Sequence, residues 1–261
     1  GAPSSPQRTP ASEATSPRRA VDLTQPPGRD FHTHDARLPP LEASRTHRVD
    51  LTVRERELEV APATTLAAMT YNGHFMGPVL RARIGDRMQV HLVNDGSMGH
   101  SIDFHASRSS PDTTMRTISP GRSLDVEFTI DHAGIWLYHC STMPMSAHIA
   151  AGMFGALIVA PADLPTVDRQ YVLVQSETYL AEQNNQPVDT GKIADEKVDL
   201  TMFNGHANQY LFAPLQARVG ERVRFWVLAA GPSRGMSFHI VGAQFDTVFK
   251  EGAYLLRRDR S

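Results

Sequence analysis

SLDVEFTI at 123–130, GIWLYHC at 134–140 and GALIVA at 155–160 are the segments on which the fold turns. In the first, Leu124, Val126, Phe128 and Ile130 fall on one face of an extended chain, because successive strand side chains point to opposite sides. The same alternation runs through VDLTV (49–53) and MQVHLV (88–93). Turn signals separate the runs: NG at 72–73, GD at 85–86, NDG at 94–96, SPG at 119–121 and HAG at 132–134. Many short strands broken in this way predict an all-β sandwich. No helical period of useful length competes, although ETYLAEQ (177–183) has the composition for a turn or two of helix.

Outward from this core, the chain repeats itself. YNGH (71–74) recurs as FNGH (203–206), PVLRARIGDRMQVHLV (78–93) as APLQARVGERVRFWVL (213–228), and HSIDF (100–104) loosely as HIVGA (239–243). Three ordered matches with a slowly growing offset indicate a duplicated domain. The joint falls near PADLPTVDRQ (161–170), giving one unit over 47–162 and a second over 170–261. Residues 1–46 are rich in Pro, Ser, Thr and Arg and predict a disordered arm, since they offer little apolar surface to offset the entropy of ordering.

Composition sets limits. The 261 residues suffice for two domains, and 41% hydrophobic against 21% charged residues is that of a chain with a core. A net charge of −2 gives no electrostatic reason to expect nucleic acid as a partner. No apolar run approaches the ~20 residues of a membrane span. No secretory signal is visible and the first residue is Gly, which suggests a processed or trimmed chain. Cys140 is the one cysteine, so no disulfide forms within the chain and its thiol needs another explanation.

That explanation lies in HSIDFH (100–105) and YHCSTMPMSAHIAAGM (138–153). Cys140, His100, His148 and Met153 offer a thiolate, two imidazoles and a thioether, the set that selects copper for electron transfer. His148 and Met153 lie in one loop after the strand ending at Cys140, so one hairpin delivers three ligands. Met143 and Met145 are alternative thioethers in the same loop. His139 precedes Cys140 and points to the other face of the strand, and the same parity separates His105 from His100. His105 and His139 are therefore candidates for a second metal, joined to the first by a single peptide. Taken singly, each residue has a plain reading as core or surface. A zinc site has no use for Met153, and a Cys–His nucleophile finds no other support in the segment. The HTH pair of His32 and His34 is read as solvated arm.

At these residues the chain resembles the copper-containing nitrite reductases and related two-domain multicopper oxidases, from about residue 48 to about 255. The resemblance implies tandem cupredoxin-like Greek-key β-sandwiches. It implies type 1 copper on His100, Cys140, His148 and Met153, and catalytic type 2 copper on His105 and His139. It places the active-site aspartate at Asp103 and a second-domain active-site histidine at His239, which the internal repeat also reads as a relic ligand position. It further implies nitrite or another small substrate, a small electron-donor protein, a homotrimer holding type 2 copper between subunits, and an extracytoplasmic location. Two departures stand out: the Cys140–His148 loop is one residue shorter than in the best-known reductases, and the family's third type 2 histidine lies later in the second domain. His74, His91, His132, His206 and His239 are the remaining candidates. After HIVGA nothing matches 123–130, 134–140 or 155–160, so the second sandwich is expected to be incomplete and the ending LRRDRS reads as a truncation, a frameshift or an engineered end. The rival readings are a laccase-like oxidase, for which the folded part lacks paired His-x-His motifs, and a non-catalytic copper carrier.

Overall fold

The computed structural model describes residues 20–249 and the backbone of 256–257. Alternation in the first unit becomes eight strands: β1 (Thr46–Ala61), β2 (Thr64–Tyr71), β3 (Leu80–Ala82), β4 (Arg87–Asn94), β5 (Asp103–Phe104), β6 (Ser123–Thr129), β7 (Gly134–His139) and β8 (Phe154–Val159). Two short helices interrupt them, α1 (Pro111–Thr114) and α2 (Met145–Ala150). The strands form two four-stranded sheets, ordered β2-β1-β4-β6 and β3-β8-β7-β5. Every second residue of β6 is buried, as the alternation of 123–129 requires. Val53, Leu92, Val126, Phe104 and Leu157, drawn from both sheets, share one core with Cys140 and Met153. Burying each such side chain contributes about 1.5–3 kcal/mol, and Cys140 and Met153 lie among them.

The duplication is visible in the backbone. The second unit contains β9 (Arg169–Thr178), α3 (Thr190–Ala194), β10 (Leu200–Phe203), α4 (Gln209–Phe212) and β11 (Val223–Gly231). Its sheet runs β10-β9-β11. β9 pairs antiparallel with β10 and parallel with β11, just as β1 pairs antiparallel with β2 and parallel with β4. The NGH turns match atom for atom. Asn72 and Asn204 both adopt positive φ, and their side-chain oxygens accept the N–H of Thr52 (2.7 Å) and Val174 (2.8 Å). Among the described residues, no strands of the second unit correspond to β6, β7 and β8; Val248–Phe249 pairs only with 256–257.

The units share a second core, in which Ile149 and Phe154 meet Val174 and Trp226. Their contact is close at Gly205, where φ is +87° and an added Cβ would lie 2.5 Å from the Phe75 carbonyl oxygen. No other residue fits both constraints.

Two expectations need correction. ETYLAEQ is not helical: it begins in β9 and leaves it as a loop, because residues 171–178 are buried as a central strand between β10 and β11. The arm is ordered from residue 20 onward, while residues 1–19 lie outside the described residues. Its order comes from the second unit: Val172 donates its N–H to the Ala36 carbonyl (2.7 Å), and the Asn208 side chain donates to the carbonyls of Leu23 and Gln25 (2.8 Å each).

Candidate metal centre

Two clusters of metal-ligating side chains lie on opposite sides of the chain at the end of β7. The first joins His100, Cys140 and His148, all buried, with ligand atoms within 4.8 Å of one another. His100 is fixed by reciprocal backbone hydrogen bonds with Ile118 (3.1 and 2.8 Å). Cys140 follows β7, and its N–H bonds the Met153 carbonyl (3.1 Å), while the Met153 N–H bonds the His148 carbonyl (3.1 Å). Cys140, His148 and Met153 are thus tied together through the main chain. Helix α2, which the sequence reading treated as loop, carries His148 near its C-terminal end and turns it inward.

The donor atoms are set as a soft metal needs them. The Cys140 sulfur lies 3.3 Å from His148 Nδ1. Burial pushes the Cys140 thiol up, but the hydrogen bond and charge of His148, with backbone bonds at Thr142 and Ser101, outweigh it and bring the thiol below its ordinary value. Burial lowers His100 despite the opposing pull of Glu55, which favours the neutral ring that can bind metal. His100 Nδ1 is buried without a hydrogen-bond partner, an orphan that a metal would satisfy. Met153 is wholly buried in the core that holds Cys140, whereas Met143 is 78% exposed and Met145 38%. Burial favours Met153 as the thioether. The residues therefore fit a thiolate–imidazole–thioether copper site.

The second cluster joins Asp103, His105 and His139. Asp103 pairs with His139 across β5 and β7. His105 Nε2 is 3.1 Å from His139 Nε2, and Asp103 Oδ2 is 3.8 Å from each ring. Burial, reinforced by the neighbouring His139, lowers His105 against the opposing Asp103 carboxylate. The His105 side chain remains 45% exposed, so the site opens to solvent on the side away from the core. Two imidazoles and a carboxylate fit a metal that keeps an open position.

The parity argument thus places His139 and Cys140 in different clusters. His239 joins neither and is exposed beyond β11. The other candidate third histidines are engaged elsewhere or apart: His206 is 3.1 Å from Glu59, His91 is 2.7 Å from Asp125, and His132 bonds Arg108 and Asp131. His74 and His32 are exposed, and His34 is half-buried. The sequence reading missed Glu55, whose carboxylate lies 3.2 Å from His100 Nε2. It also missed Ser101, whose buried hydroxyl accepts the Ser141 N–H (3.0 Å) and lies 3.7 Å from the Cys140 sulfur. Ser101 was signalled by adjacency to His100; Glu55, within RERELE, carried no local signal.

A cupredoxin-like β-sandwich with a buried His–Cys–His cluster beside an open histidine–aspartate cluster defines a copper protein of the multicopper oxidase class. Residues 52–163 match the multicopper oxidase family model. Copper-containing nitrite reductase of Neisseria gonorrhoeae is 33% identical over 221 residues, covering 81% of this chain and 56% of the relative. That of Pseudomonas chlororaphis is 29% identical, covering 91% of this chain and 71% of the relative. The copper nitrite reductase structure from Nitrosomonas europaea superposes with a TM-score of 0.70 at 34% identity, covering 77% of this chain and 74% of that one. The chain belongs to the family of copper-containing nitrite reductases and related two-domain multicopper oxidases. It spans little more than half the length of the Neisseria relatives, 56% in the case quoted.

Proposed function

We propose that this chain forms the core of a copper-dependent oxidoreductase that reduces nitrite to nitric oxide, with the buried cluster as a type 1 site and the open cluster as a type 2 site. The observation that carries the reading is the back-to-back placement of the clusters on consecutive residues, His139 and Cys140. When bound, copper supplies one-electron redox chemistry at the first cluster and a Lewis-acidic anion-binding position at the second.

The protein's own groups account for the rest. The peptide between Cys140 and His139 is a short covalent path from the buried cluster to the open one. The reaction takes up one electron and two protons per nitrite and releases nitric oxide and water. Asp103, 3.8 Å from both imidazoles of the open cluster, is placed to hold a proton at Oδ2 beside a bound anion. His239 serves as the second acid–base group from a neighbouring subunit, consistent with its exposed place outside both clusters of its own chain. A homotrimer is supported by the exposed edge of the His105–His139 cluster and by exposed Leu211, Val219 and Val241 in the second unit. A small redox protein as electron donor and an extracytoplasmic location belong to the same proposal and rest on the family resemblance.

The second cluster argues against a purely electron-carrying role, which would need only the first. A laccase-like reading finds no further histidine cluster among the described residues. Nitric oxide release from nitrite by copper-loaded, reduced protein tests the proposal; copper-loaded trimers that consume a reductant with oxygen but leave nitrite untouched would overturn it.

A further inference from the structure

His100 is held by a residue that no local motif announces. Glu55 lies in β1, 45 residues earlier in the chain, and its Oε1 is 3.2 Å from His100 Nε2. The carboxylate is itself fixed: both oxygens accept the Ser97 N–H (3.0 and 2.9 Å). Gly96 packs so closely that a Cβ there would lie 2.8 Å from Oε1. The other ring nitrogen of His100, Nδ1, is buried without a partner. A neutral imidazole has a single N–H, and an ionised carboxylate can only accept. The contact with Glu55 therefore puts the proton on Nε2 and leaves the Nδ1 lone pair free, in the cluster with Cys140 and His148.

We propose that Glu55 is a positioning residue for the metal-binding ring of His100: it sets the tautomer, fixes the ring orientation and places a negative charge behind the ligand. A carboxylate behind a ligating histidine makes the ring a stronger donor. The added charge stabilises the more highly charged, oxidised metal over the reduced one, so Glu55 lowers the reduction potential of the site. This inference rests on His100 being a copper ligand.

The test uses Glu55→Gln in the 261-residue chain loaded with Cu(II). The amide keeps the size and an acceptor oxygen and removes the charge. Cu(II) affinity, read by chelator competition, is expected to fall about 10–100-fold. The midpoint potential is expected to rise, by about 59 mV for each tenfold loss of Cu(II) affinity not shared by Cu(I). The visible absorption stays, since Cys140 is untouched. Glu55→Asp, which keeps the charge but draws it back by one methylene, should shift both quantities in the same direction by less, and it carries the test if the glutamine variant does not fold. A merely structural role in holding the 95–99 turn predicts a lower apo-protein melting temperature with affinity and potential unchanged, and that result would overturn the proposal. Colourless copper-loaded wild type would overturn the type 1 reading and Glu55's role together; coloured wild type with unshifted variants overturns Glu55's role alone.

Discussion

Replacing Gly155 by alanine should disturb the metal centre from a distance, through Tyr138. A Cβ at residue 155 would stand 2.2 Å from the ring carbon Cζ of Tyr138 and 2.3 Å from its oxygen. The ring cannot step aside. Tyr138 is fully buried, and a Cβ on Gly77 would likewise lie 2.5 Å from its oxygen. Phe104 lies against it at a ring separation of 5.2 Å and Tyr71 at 5.9 Å. Its hydroxyl donates to the Pro78 carbonyl (2.6 Å). Relief requires the ring to give up that bond or β7 to move. Overpacking of this kind costs about 1–3 kcal/mol, and stranding a buried hydrogen-bonding group about 1–3 kcal/mol more. The expected loss is therefore about 2–6 kcal/mol, a large part of the roughly 5–15 kcal/mol by which domains are stable. Because Tyr138 immediately precedes His139 and Cys140, the copper absorption should weaken or shift as well. Urea unfolding of the apo protein measures the first effect and the visible spectrum of copper-loaded protein the second. A loss below about 1 kcal/mol with an unaltered spectrum would refute the claim that Tyr138 is locked between the two glycines and steadies the ligand strand.

In a version of the protein with a complete second domain, Asp103→Asn keeps the shape and the β5–β7 pairing but removes the ionisable group, so nitrite turnover should fall about 10²- to 10⁴-fold while the visible absorption is retained. Unchanged turnover across the pH range would remove Asp103 from the proton path. Stability should also have an acid-sensitive part from Asp86, which is buried between His47 (2.7 Å) and Arg45 (2.7 Å). Burial raises its pKa, but hydrogen bonds from His47 and the Arg83 N–H, with the charges of Arg45 and His47, bring the net value below the ordinary one. Its stabilisation is thus complete above the unfolded carboxyl value of about 3.9 and lost as pH falls through the folded value. Urea midpoints measured on falling pH should decline less steeply in Asp86→Asn than in wild type; parallel curves would contradict this.

Much of the fold was legible because period-2 patterns record burial directly. Leu124, Val126 and Phe128 point inward as the alternation of 123–129 demands. The clusters were legible for a different reason: few roles need a lone cysteine, two flanking histidines and a methionine together, and strand parity then separates His139 from Cys140. What the sequence concealed was long-range. PMSAHIA is too short to announce a helix, and α2 forms because Ala147, Ile149 and Ala150 are buried against the core. The arm from residue 20 looked disordered because its own apolar content is low, yet main-chain bonds to β9 and side-chain bonds from Asn208 hold it. Glu55 stood out from its charged neighbours only once folding had brought β1 alongside His100.

Everything proposed for this chain depends on Cys140, with His100, His148 and Met153, binding one copper as a type 1 site. Titrating Cu(II) into the wild-type chain and into Cys140→Ser, with absorption and copper content followed together, tests it most directly. The wild type is expected to show an intense visible thiolate-to-copper band, with the band abolished and the fold retained in the variant. Wild-type protein that binds copper tightly and stays colourless would contradict it.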